Sequence, residues 1–108
     1  MDFKNVEYVK NYDGDTITVN IQNVHPILGC NIPVRIRGID TEEIKTHSKK
    51  SKDAKLFVEK ILKNAKSIDL IDVERGKYFR IVADVYVDGV QLGDALVNRG
   101  LAIRKNYK

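Results

Sequence analysis

Three carboxylates, three cationic side chains and one tyrosine carry the chemistry open to this sequence: Asp15, Asp40 and Glu43 with Arg35, Lys77, Arg80 and Tyr78. Asp15 opens a run in which Ile17, Val19 and Ile21 alternate with Thr16, Thr18 and Asn20, so strand periodicity turns its carboxylate toward the core with the apolar set. Asp40 closes a second run, Ile32 to Ile39, and shares parity with Val34 and Ile36 provided Gly38 introduces no bulge. An isolated ionised carboxylate taken out of water costs several kcal/mol, about the scale of a buried ion, unless a positive charge compensates it. Two such groups side by side call for a cation. With oxygen donors and no His or Cys nearby, Ca²⁺, Mg²⁺ or Mn²⁺ suits the pair better than zinc. The competing explanation is local: Asp13 and Asp15 as turn residues flanking Gly14, and Asp40-Thr41 as a capping or turn pair.

The elements that must hold these groups read βββαββα. Val6 to Tyr12 and Asp15 to Ile21 are strand-forming runs joined at Asp13-Gly14, a dipeptide suited to the positive φ angles of a tight hairpin. Ile32 to Ile39 is the third strand, and Lys45 to Lys52 a basic loop. Ala54, Phe57, Val58, Ile61, Leu62 and Ala65 then recur at helical spacing. Ser67 to Val73 and Phe79 to Val87 are further strands, the second with Ile81, Ala83, Val85 and Val87 on one face and Arg80, Val82, Asp84 and Tyr86 on the other. After the Asp88-Gly89 turn, Leu92, Ala95 and Leu96 mark a short helix capped by Gly100. Short antiparallel strands with one helix inserted after the third predict a five-stranded barrel of the oligonucleotide-binding (OB) type, in the α+β class, because closure removes strand edges. No linker or repeat divides the 108 residues, so one domain spanning 1–108 is expected.

Four segments in order resemble the staphylococcal nuclease (thermonuclease) family: Asp13-Gly14-Asp15-Thr16, Val34-Arg35 through Asp40-Thr41-Glu42-Glu43, Lys77-Tyr78-Phe79-Arg80, and Tyr86-Val87-Asp88-Gly89 to Ala95-Leu96-Val97-Asn98-Arg99-Gly100-Leu101-Ala102. The resemblance implies an OB-type barrel that cleaves DNA and RNA with Ca²⁺ and leaves 3′-phosphate ends. It implies Asp15 and Asp40 as side-chain metal ligands and Thr41 as a ligand through its carbonyl. Glu43 would then orient or deprotonate the attacking water, Arg35 and Arg80 would hold the phosphate and its transition state, and Lys77 and Tyr78 would bind a neighbouring phosphate. The sequence departs from the family pattern in three places: Glu42 stands where proline is usual, Phe79 where glycine is common, and the chain ends at Lys108 without a further helix.

A formal net charge of +4, from 19 Lys+Arg against 15 Asp+Glu, suits a polyanionic partner without demanding one. Lys45, Lys49, Lys50, Lys52 and Lys55 read equally as a strand-attracting patch and as a solvated surface. Arg37 is expected in a cross-strand ion pair, Asp84 as the partner of Arg80, and Cys30, the single cysteine, as a buried thiol. His25 and His47 read as surface groups, and Tyr8, Tyr12 and Tyr86 as strand residues before stacking platforms. A monomer acting on DNA and RNA, with unpaired strands preferred and no membrane contact, is expected. The first residues lack an export leader, which leaves secretion open if a signal was removed and the cytoplasm otherwise. The rival to an enzyme is a non-catalytic nucleic-acid- or protein-binding module on the same fold. A weaker third reading is a phosphate-bearing small ligand that is not cleaved.

Overall fold

The alternation around Ile17 and Val19 builds a strand whose inner face is sealed: both are fully buried, and Ile21 nearly so. The structure, a computed structural model of the chain, describes residues 1–22, 24, 29–41, 48–76 and 80–105. Its elements are β1 (Glu7–Asn11), β2 (Thr16–Asn20), β3 (Ile32–Ile36), β4 (Ile39–Asp40), α1 (Lys49–Lys63), β5 (Ile68–Arg75), β6 (Ile81–Val87), β7 (Val90–Gln91), α2 (Leu92–Asn98) and β8 (Ile103–Arg104). This is a mixed α+β fold. The five longer strands and the two helices follow the expected order, and β4, β7 and β8, each two residues long, are additions to it.

The main sheet runs β1-β2-β3-β6-β5, with β7 paired to β6. Every neighbour is antiparallel except β3 and β6, whose parallel register sets Arg35 beside Val82. The ladder does not return to β1. Instead, the segment before β1 lies along β5: Phe3 and Leu70 exchange both main-chain hydrogen bonds at 2.8 Å, and the Val6 N–H donates to the Ile68 carbonyl at 2.9 Å. Val34, Ile36, Leu70, Ala83 and Val85 fill the inner face of the sheet. The helix α1 covers one opening with Ala54, Val58 and Leu62, at the spacing read from sequence. Leu92 and Leu96 of α2 enter the same core.

Five local expectations are corrected. The Asp13-Gly14 connection is not a tight hairpin: Tyr12 to Asp15 form a four-residue loop, and neither Asp13 nor Gly14 has a positive φ. The two-residue hairpin falls instead at Asp88 (φ 50°) and Gly89 (φ 85°), between the paired Val87 and Val90. Gly38 (φ 78°) breaks the third strand, so the buried residue beyond it is Ile39 and Asp40 takes the opposite side. The expected basic loop to Lys52 is cut short, because Ser48 caps a helix already running from Lys49, its side chain accepting from the Ser51 N–H. Cys30 is exposed rather than buried, and Tyr12 is an exposed loop residue. Glu43, Lys77 and Tyr78, with His25, Glu42, Lys45, His47, Phe79 and Tyr107, lie outside the described residues.

Candidate active site

The turn before β2 is built from its own side chains. Asp13 Oδ1 accepts from the main-chain N–H groups of Asp15 (3.2 Å) and Thr16 (3.1 Å), the local bonding that makes aspartate a turn former. Asn11, buried, donates from Nδ2 to the Asp13 carbonyl and to the Lys55 carbonyl of α1, both at 3.1 Å. The Tyr8 hydroxyl donates in turn to Asn11 Oδ1. Burial, and secondarily the charge of Glu59, raise the Tyr8 pKa above its usual value, which keeps that proton in place. Gly14 completes the joint: a Cβ there would lie 2.7 Å from Ala54 Cβ and 2.9 Å from Thr41 Cγ2. The loop is thus clamped between α1 and the end of β4.

Asp15 leaves this clamp pointing inward and is 7% exposed, as the alternation of β2 predicts. Its Oδ2 accepts from the Thr41 N–H at 3.1 Å and lies 3.5 Å from Arg35 Nη2. The same Arg35 nitrogen donates to Asp40 Oδ1 and, at 2.8 Å, to the Ile39 carbonyl. Arg35 Nη1 donates to the Ile36 carbonyl at 2.9 Å. The reversal at Gly38 makes this possible, since it brings Ile39 and Asp40 back beside the β3 residue that precedes them. Asp40 Oδ2 also pairs with Lys105 Nζ at 3.0 Å, and Lys105 is fixed by its N–H bond to the Gly38 carbonyl beyond β8.

Asp15, Arg35, Asp40 and Thr41, distant in sequence, therefore meet at one point. Sequence reasoning did not find Lys105, Asn11 or the bracing role of Tyr8. The signal for Lys105 needed the β4-β8 pairing, which two-residue strands do not announce. Burial, followed by the hydrogen bond and charge of Asp15, pushes the Asp13 carboxyl up to about 7.

Arg80 stands apart. It precedes β6 by one residue, and its carbonyl accepts from the Gly76 N–H at 2.8 Å. Strand alternation starts it from the same side of the β3-β6 pair as Arg35. Among the described residues no hydrogen bond or ion pair joins it to the carboxylates, and its Nε is buried without a partner. The expected Arg80–Asp84 pair is corrected: Asp84 belongs to Arg37, at 3.2 Å, and Glu74 adds a second contact to Arg37 at 3.4 Å. Arg37 sits at the end of β3 facing β5 and β6, so it reaches Asp84 first; its expected cross-strand pairing holds.

Asp15, Asp40 and Thr41 are the residues gathered here that could hold a hard divalent cation. Asp15 and Asp40 converge on the Arg35 guanidinium, and among the described residues the buried Thr41 Oγ1 has no hydrogen-bond partner. Among the described residues no third carboxylate, His or Cys joins them. Two carboxylates leave most of the six to eight oxygen positions of a Ca²⁺ shell for main chain, water and substrate.

Residues 33–108 match the family model described as Staphylococcal nuclease homologue. The chain belongs to this family. The matched stretch holds every sequence-predicted site position of the staphylococcal nuclease homologue except Asp15. Asp15 is tied to that stretch by the Thr41 N–H and by Arg35.

Proposed function

We propose that this staphylococcal nuclease homologue is a Ca²⁺-dependent endonuclease with an OB-type barrel, hydrolysing phosphodiester bonds of DNA and RNA with little sequence preference and leaving 3′-phosphate ends. The observation that carries this reading is the convergence of Asp15 and Asp40 on one Arg35 nitrogen. Asp15, Asp40 and Thr41 would hold the cation, which when bound supplies Lewis acidity toward a phosphoryl oxygen.

The remaining chemistry belongs to the protein. Glu43 takes a proton from the attacking water, the new P–O bond forms, and the bond to the 5′-oxygen breaks as that oxygen is protonated. Such a base contributes about 10²–10⁴-fold. Arg35 and Arg80 donate to the equatorial oxygens as their charge grows, and losing one donor of this kind costs roughly 3–4 kcal/mol. Lys77 and Tyr78 hold the next phosphate. Because all these groups address phosphate, which is the same at every step, sequence preference is weak. Unpaired strands bend into a shallow site more readily and are cut faster, and the enzyme works as a monomer.

A second reading has one observation in its favour. Arg35 is held by both carboxylates and two main-chain carbonyls, the arrangement of a structural ion pair in a non-catalytic binding module. Incubating the pure protein with denatured and duplex DNA separates the two. The nuclease reading expects fragments with Ca²⁺, few or none with Mg²⁺ or a chelator, and loss of most turnover in Glu43→Gln. Intact DNA in every condition, with binding retained, favours the module.

A further inference from the structure

The excess positive charge of this chain resides in one helix. Lys49–Lys63 contains six lysines against Asp53 and Glu59, a net +4, which equals the formal net charge of the whole chain. Folding turns that charge outward. Ser51, Ala54, Val58 and Leu62 are buried, so the opposite face carries Lys49, Lys52, Lys60 and Lys63 around Leu56, all exposed.

This arrangement works against the helix itself. Like charges three apart, at Lys49/Lys52 and Lys60/Lys63, destabilise an isolated helix. The first turn holds no acidic residue, although the positive end of the helix dipole favours one. The Lys63–Glu59 pair at 3.2 Å compensates part of this face, and Asp53 is exposed beside it. A polyanion laid on the face would offset both costs.

We infer that this outward face of α1 is a track for a single strand of nucleic acid running away from the candidate active site. The inference extends the nucleic-acid reading above but does not need cleavage. Continuity with the site favours a strand over other anions: α1 packs on the Asp13–Asp15 loop through Gly14 against Ala54 and through Asn11 bonded to the Lys55 carbonyl. The loop that presents Asp15 therefore adjoins α1 at Ala54 and Lys55, and a strand bound near that loop has the helix as its neighbour; the 15 residues of α1 extend about 22 Å. An anionic bilayer is a poorer match. An interfacial helix buries a broad apolar face, whereas here Leu56, 58% exposed, is alone among the lysines.

The test is a variant with Lys49→Gln, Lys52→Gln, Lys60→Gln and Lys63→Gln, compared with the same four positions changed to Arg. Binding of a fluorescein-labelled 24-nucleotide single strand is followed by anisotropy in chelator across a salt series. The Gln variant is expected to bind at least tenfold more weakly at low salt, with the slope of log K against log salt reduced by about 2–3, or about 0.7 for each phosphate no longer neutralised. The Arg variant should keep both. A short oligonucleotide confined to the site should lose little affinity. Unchanged affinity and slope in the Gln variant overturn the inference, as does lysine-dependent binding to phosphatidylserine vesicles or polyglutamate without lysine-dependent binding to DNA. Cleavage is not read, so a chain without nuclease activity that still shows the loss of slope would fail the enzymatic reading and keep this one.

Discussion

Gly14 lies so close to Ala54 that a methyl group on the glycine would sit 2.7 Å from the alanine Cβ, nearer than packed carbon atoms allow. Neither partner can yield cheaply: one is main chain in the loop that presents Asp15, the other a short side chain buried in α1. Gly14→Ala should therefore lower stability by about 1–3 kcal/mol, the usual cost of overpacking. It should also weaken Ca²⁺ binding by displacing Asp15. Thermal melts with calcium titration read both effects, and an unaltered melt would mean that the loop is looser than its contacts imply.

Arg35 neutralises two carboxylates from a position only 11% exposed. Removing one partner of a buried ion pair costs about 3–5 kcal/mol; here the cost falls on Asp15, since Asp40 keeps Lys105. Arg35→Ala should lower the melting temperature accordingly, with part of the loss recovered in millimolar Ca²⁺ as a cation takes over the neutralising charge. Recovery should vanish in Arg35→Ala combined with Asp15→Asn and Asp40→Asn. A full recovery by Mg²⁺ at equal concentration would argue against a calcium-type site.

The Asp13 carboxyl, raised by burial and by Asp15 to about 7, holds its proton more tightly in the folded chain than in the unfolded one. The folded state therefore loses stability relative to the unfolded as pH rises from about 4 to about 7, and the loss is complete above that window. Asp13→Asn keeps an acceptor for the N–H groups of Asp15 and Thr16 and gives Asp15 a permanent donor. Melting followed in chelator at pH 5 and pH 8 should show a smaller decline for this variant than for the parent chain. Identical declines would assign the pH dependence to other groups.

Cys30 is exposed, and among the described residues no disulfide engages it. Cys30→Ser should change stability by no more than about 0.5 kcal/mol, as for a surface substitution. A larger loss on denaturant unfolding would restore the buried thiol that its apolar neighbours in sequence suggest.

What the sequence disclosed was set by range. Period-2 alternation is a local property of a strand, so Ile17 and Val19 suffice to turn Asp15 inward, and the helical spacing of Ala54, Val58 and Leu62 is equally local. Dipeptide turn signals are weaker, because the same Asp-Gly pair gives a two-residue hairpin at Asp88-Gly89 and a wider loop at Asp13-Gly14. The difference lies in Ala54 and Thr41, neighbours that Gly14 meets only after folding. The parity of Asp40 hinges on Gly38, whose conformation sequence does not fix: Gly38 reverses the chain, and that reversal carries the carboxylate to Arg35. Arg37 took Asp84 from Arg80 because charge pairing across strands depends on which side chain arrives, and alternation alone does not rank them.

The clasp between the first residues and β5 bears on how the chain acquires its shape. Asn5 donates to Asp69 across 64 positions, and Phe3 bridges to Leu70 nearby. Contacts of such long range form late, since the loop they close must be gathered first. During synthesis the segment before β1 thus waits, unpaired, until β5 has followed it out, and a chaperone or a competing strand has that interval in which to capture it.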